Sequence, residues 1–187
     1  MSQSWSFENT KFEGVKLIKP FIANDMRGSF VKDFSKEVFA QNGLNHNLEE
    51  VFYTISYKGV IRAIHFQREK PQAKLVRCVS GHIYDVVVDL RKSSPTFGEW
   101  QGFHLNGDSE LLIPGCYGHG YIVLEDSVVS YKCNEKFYGE FDDGIMWNDV
   151  DINIDWEIDT VGAEIIIADK DKAMQTLKEF VVRYGGL

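Results

Sequence analysis

From about residue 16 to residue 133 the chain breaks into short runs rich in β-branched residues, divided by turn residues and recurring about every ten positions. That rhythm suits a β-sandwich or barrel. The strongest run is Ile83 to Leu90 (IYDVVVDL), bounded by Gly81 on one side and Ser93-Ser94-Pro95 on the other. Leu75 to Val79, Glu110 to Ile113, Tyr121 to Leu124 and Val128 to Cys133 also read as strands, with Glu125-Asp126-Ser127 predicted as the hairpin turn between the last two. Weaker strand signals cover Lys16 to Ile22, Phe30 to Phe34, Val51 to Ser56 and Gly102 to Leu105. Two helices interrupt the series. Lys36 to Asn42 forms a short one stopped by Gly43, and Lys172 to Arg183 sets Ala173, Leu177, Phe180 and Val181 on one stripe before Gly185-Gly186. The expectation is a single mainly-β domain over 1–187, a barrel or jelly roll with a C-terminal helix; periodicity does not separate these from other β folds.

The chain can build this domain without staples. Of its 187 residues, 44% are hydrophobic, enough for a substantial core. Cys78, Cys116 and Cys133 are odd in number and widely spaced, which fits a reducing compartment better than a disulfide framework. A formal net charge of −8 disfavours nucleic acid as a partner, because phosphate backbones need a concentrated positive face. A small anionic ligand is compatible, since it needs only a few local Arg or Lys. Met1 to Ser6 lacks the layout of a signal peptide, and no apolar run approaches the ~20 residues of a membrane span. The expected location is the cytoplasm.

Three segments concentrate ionisable side chains beside strands: Val60 to Gln67 followed by Lys74, Ile113 to Gly120, and Val129 to Cys133. In an extended Arg62-Ala63-Ile64-His65, alternation puts Arg62 with Ile64 on one face and His65 with Ala63 and Gln67 on the other. A bend or bulge is needed to bring Arg62 and His65 to one ligand. On local sequence alone, His65 reads equally well as a hydrogen-bonded structural histidine. A metal-binding His-x-His pair, as in metal-dependent β-barrel enzymes of the cupin type, is broken here by Gln67. Glu69 and His119 remain, and Gln is a weak ligand for metals that favour imidazole. No catalytic metal and no cofactor are expected.

Taken in order, VIRAIHFQ (60–67), KLVRCVSGHIYDVVVDLRKSSPTFGEW (74–100), IPGCYGHGY (113–121), SYKC (130–133) and GIMWND (144–149) resemble the dTDP-4-dehydrorhamnose 3,5-epimerase family, cupin-fold enzymes of deoxysugar biosynthesis. The resemblance runs from Asp25-x-Arg27-Gly28 to about Leu177. It implies a cupin-type jelly roll and cofactor-independent epimerisation of a nucleoside-diphosphate 4-keto sugar, in which the ketone acidifies the neighbouring C–H bonds. The family's base falls on His65 and its acid on Tyr131. A phenol suits that role, because its ordinary pKa of about 10 keeps it protonated at neutral pH. The family's lysine near the sugar falls on Lys74, where positive charge stabilises an enolate oxygen. Arg62 and Arg27 match the arginines that meet the diphosphate, Arg27 being given by the partner subunit of a homodimer, and the second site histidine falls on His119. The aspartate that orients the base falls on Asp171, although either Asp169 or Asp171 could instead cap the following helix.

The chain departs from the family where the nucleotide is read. Lys32 stands where an acidic residue is usual, Glu50-Val51-Phe52 where Gln-x-Asn is usual, and Lys136 where a base-stacking Tyr is usual. Phe30 and Gln67 complete the substrate-binding candidates. Conserved chemistry on another nucleotide sugar is one implication, and the pattern is similar to the branch acting on GDP-linked 4-keto-heptoses in capsule or lipopolysaccharide biosynthesis. Epimerisation at C3, C5 or both stays open, as do a 3,4-ketoisomerase and a non-catalytic sugar-binding cupin.

Overall fold

The computed structural model describes residues 2–187. In chain order its elements are β1 (Ser2–Gln3), β2 (Ser6–Asn9), β3 (Lys16–Lys19), β4 (Phe21–Asp25), β5 (Gly28–Lys32), α1 (Lys36–Gln41), β6 (Glu50–Ser56), β7 (Val60–Gln67), β8 (Lys74–Asp89) and β9 (Trp100–Leu105). They continue with β10 (Glu110–Ile113), β11 (Tyr117–Cys133), β12 (Asp142–Gly144), α2 (Ile158–Val161), β13 (Ile166–Ile167), α3 (Asp169–Lys172) and α4 (Leu177–Tyr184). No helix among the described residues is long and apolar enough to cross a membrane.

Two long strands organise everything else. β8 and β11 pair antiparallel from Tyr117↔Asp89 to Cys133↔Lys74. The first half of β11 is also paired with β7, and its second half with β6. β8 takes β9 on the half beyond Ile83 and β10 on the half before Cys78, and β10 carries β3 and β2 outward. The long pair therefore contributes to two opposed sheet halves, a jelly-roll arrangement. Val76, Cys78, Ile83, Val87, Leu111, Tyr121 and Val129 share the buried cluster between the halves. A second core, including Ile61, Ile64, Val86, Trp156 and Phe180, packs the chain after residue 144 onto the outside of one half. A third seats Phe39 of α1 on Ile18, Leu75 and Leu112 outside the other.

The predicted hairpin at Glu125-Asp126-Ser127 is absent. Those residues lie inside β11, where the register against β8 shifts between Val123, Glu125 and Val128. The polar run is a bulge facing Gly81, which sits at φ +87° and whose added Cβ would strike the carbonyl of Asp126. Bulges bend a strand pair, so this one turns β8 and β11 from one sheet half into the other. The predicted C-terminal helix is also divided. α3 ends at Lys172, and α4 starts afresh after Thr176, whose hydroxyl accepts from the Glu179 amide in a capping box. Leu177 and Phe180 are buried, but Ala173 and Val181 are exposed, so the expected stripe is shorter. Lys16 to Ile22 splits at Pro20 into β3 and β4, since proline supplies no amide to a ladder. The short helix agrees with expectation and stops at Gly43, where φ is +74°.

Candidate active site

A cavity of about 530 Å³ opens between the sheet halves and is lined from β6, β7, β8, β11 and the segments around residues 137–142 and 170. Arg62, His65, Gln67, Lys74, His119 and Tyr131 all contribute to its wall. The alternation problem at Arg62 and His65 is solved by a bulge: His65 pairs with His119 but Arg62 pairs with Tyr121, so three steps on β7 match two on β11. Gly120 makes this close approach possible, because a Cβ there would collide with Ala63.

His65 Nε2 lies 3.1 Å from Oδ2 of Asp171, which also accepts the Ala63 amide at 3.3 Å. Burial pushes the Asp171 carboxyl up, but the hydrogen bond and charge of His65, with the Ala63 amide, outweigh it and hold the pKa below the ordinary value. Asp169 is fully exposed and faces Lys172 instead, and α3 has no side-chain cap. A second imidazole–carboxylate pair lies deeper. His119 Nε2 is 2.8 Å from Oδ2 of Asp85, and both residues are buried. Burial raises the Asp85 pKa, partly countered by His119 and Lys74. Burial lowers the Lys74 pKa against the pull of Cys133, Asp142 and Asp85. The Tyr131 phenol is 7% exposed, and burial drives its pKa well above the ordinary value. His119 meets its ring edge-on at 6.0 Å between centroids, and Phe52 stacks on it at 4.8 Å.

The remaining candidates sit elsewhere. Arg27, Phe30 and Lys32 belong to the β4–β5 hairpin and its flank, outside the cavity of the single chain. Arg27 is exposed and bound to Asp25 at 2.5 Å, Phe30 meets the edge of Phe21, and Lys32 is exposed. Lys136 faces Glu49 at 3.4 Å. Gln67 lines the cavity, yet its amide donates to the carbonyls of Lys70 and Lys136 and accepts from the Tyr138 amide, so it fixes the flanking loop. Sequence reasoning missed Asp85, although a carboxylate inside the apolar run IYDVVVDL was a signal. It also missed Asp142 and Lys170, which form an ion pair on the cavity wall and carry no local motif. Among the described residues no group of three or more His, Cys, Asp or Glu side chains is arranged to hold a metal ion.

A jelly roll enclosing a carboxylate-bound imidazole, a buried phenol and an ammonium defines a small-molecule acid–base enzyme, the equipment of an isomerase that moves protons on carbon. The comparisons agree. The family model described as dTDP-4-dehydrorhamnose 3,5-epimerase matches residues 9–179, and the chain belongs to that family. It is 43% identical over 176 residues to the dTDP-4-dehydrorhamnose 3,5-epimerase of Methanothermobacter thermautotrophicus, covering 92% of this chain and 95% of that protein. The Escherichia coli enzyme of the same name is 38% identical over 177 residues, with 92% and 94% covered. Among solved structures, a dTDP-6-deoxy-D-glucose-3,5-epimerase from Legionella pneumophila in complex with dTDP-4-keto-L-rhamnose superposes with a TM-score of 0.88 at 32% identity, covering 94% of each chain. A 4-keto-6-deoxy sugar epimerase from the novobiocin gene cluster of Streptomyces spheroides gives 0.90 at 29% identity, covering 98% of this chain and 92% of that one.

Proposed function

We propose that this chain epimerises a nucleoside-diphosphate-linked 4-keto sugar at C3, C5 or both, with His65 as base and Tyr131 as acid. The observation that carries the reading is the meeting of both side chains, with Lys74, in one cavity. With His65 Nε2 engaged by Asp171, Nδ1 is left to remove the proton beside the ketone, and the Asp171 carboxylate stabilises the imidazolium that results. The electron pair of the broken C–H bond moves to the carbonyl oxygen, where the Lys74 ammonium offsets the enolate charge. Tyr131 then returns a proton to the opposite face of the same carbon. Its raised pKa disfavours the phenolate, which is reprotonated before the next turnover. These groups move both protons without a cofactor.

Arg62 is suited to the diphosphate, and Arg27 on its projecting hairpin is suited to reach the cavity of a second copy in a homodimer. The named relatives support a dTDP-linked 4-keto-6-deoxyhexose as substrate. Lys32, Glu50-Val51-Phe52 and Lys136 depart from the family's nucleotide-reading residues and keep a GDP-linked 4-keto-heptose as the second candidate. In this reading the enzyme works in the cytoplasm and supplies an activated sugar for capsule or lipopolysaccharide. The test is incubation with dTDP- and GDP-linked 4-keto sugars in deuterated water, following each C–H by NMR. Exchange with inversion at one or both carbons is the expected result; loss of the C4 ketone shows a ketoisomerase instead, and no exchange with any substrate leaves only a binding protein.

A further inference from the structure

We infer that Phe52 is a positioning residue for the proton donor: its ring lies on that of Tyr131 with centroids 4.8 Å apart and planes within 14°. The inference rests on the reading of Tyr131 as the acid. Phe52 and Tyr131 are direct partners in the β6–β11 ladder, so both side chains project from the same face into the cavity. His119 approaches the same phenol edge-on, with planes 74° apart. The Tyr131 ring is therefore held by one flat neighbour and one perpendicular neighbour, while its hydroxyl hydrogen-bonds to Tyr121. Phe52 offers no hydrogen bond to a sugar or a nucleotide, and it stands where the family's pattern has a polar side chain. Its contribution to the reaction is the orientation and dryness of the phenol.

This geometry separates the two proton steps. Phe52 is not among the hydrogen-bond or ring partners of His65 or Asp171, so removing the proton does not depend on it. Returning the proton to the opposite face does. Phe52→Leu keeps apolar bulk and loses the stack, whereas Phe52→Tyr keeps the stack.

The test measures, for each variant, deuterium exchange and inversion on the same substrate, with Tyr131→Phe as the reference for a missing acid. Phe52→Leu is expected to lower the ratio of inversion to exchange by about 3–10-fold, the range expected from an aromatic pair, with KM little changed, and Phe52→Tyr to restore the ratio. A normal ratio in Phe52→Leu, or a raised KM with the ratio intact, overturns the inference and leaves the epimerase reading standing. Absence of exchange in the unaltered protein overturns that reading and this inference with it. A readout free of substrate runs alongside: the ring NMR signals of Tyr131, assigned through Tyr131→Phe, should shift in Phe52→Leu and hold in Phe52→Tyr. Unmoved signals in Phe52→Leu overturn the stacking role directly.

Discussion

His65 and Asp171 stand 106 positions apart in the chain, yet the Nε2 of one lies 3.1 Å from a carboxylate oxygen of the other. That same oxygen accepts the Ala63 amide at the bulge of β7. One carboxylate thus pins the irregular backbone that brings Arg62 and His65 to a common cavity, and it also fixes which imidazole nitrogen faces outward. The strand irregularity and the proposed base share a single anchor, supplied by the segment that follows the barrel strands.

Replacing either member should disable proton removal. His65→Ala is expected to lower kcat by about 10²–10⁴-fold, the usual contribution of a general base. Asp171→Asn should lower it by about 10²-fold with little change in KM, because the amide neither holds the correct tautomer nor stabilises the imidazolium. Steady-state kinetics on a 4-keto nucleotide sugar checks both, and near-normal turnover by His65→Ala removes the residue from the mechanism.

Tyr131→Phe should divide the reaction. In the proposed mechanism the hydroxyl hands a proton to the opposite face, so its loss is expected to leave hydrogen exchange in deuterated water while inversion falls by about 10²-fold or more. NMR of the sugar ring carbons reports both. Full inversion by this variant requires another acid in the cavity.

Lys74→Met keeps most of the stem and removes the charge. The expected fall in kcat is about 10²–10³-fold, the size seen when one stabiliser of a developing oxyanion is lost. KM should move less, since in the proposed mechanism the ammonium acts mainly on the enolate. A purely structural Lys74 would instead show up as a lowered melting temperature with kcat retained.

Much of the frame was legible because β-branched runs are local signals, as at Ile83 to Leu90, and so is the helix stop at Gly43; Gly81, read as a boundary, instead lies inside β8. Most of what failed was non-local. Glu125-Asp126-Ser127 has turn composition, and only its place opposite Ser80, Gly81 and His82 of β8 makes it a bulge inside a long strand. The helical stripe from Ala173 ignored Thr176-x-x-Glu179, a capping box that marks a start within it. His65, Tyr131, Lys74 and His119 came from motif resemblance, and the cavity collects all four. Asp142 and Lys170 meet across 28 positions, a relationship no local pattern encodes.

Asp89 gives the fold a pH-dependent clasp at the end of β8. Its buried carboxylate accepts from the Arg91 side chain at 2.8 and 3.0 Å, the Arg91 amide at 3.0 Å, Ser94 Oγ at 2.7 Å and Thr96 Oγ1 at 2.6 Å. Burial alone would raise its pKa, but these donors outweigh it, Arg91 foremost, and hold the group at about 2 against an ordinary 3.8. Between those values the unfolded chain binds a proton that the folded chain does not, so stability rises with pH across the window. The contribution is complete above about pH 4 and is lost as pH falls towards 2. Asp89→Asn is expected to cost about 1.5–3 kcal/mol at pH 7, the range for hydrogen bonds to a charged group, and to differ little from the unaltered protein near pH 2. Urea unfolding of both proteins at the two pH values measures this; equal stability at pH 7 would show that the clasp contributes nothing to the fold.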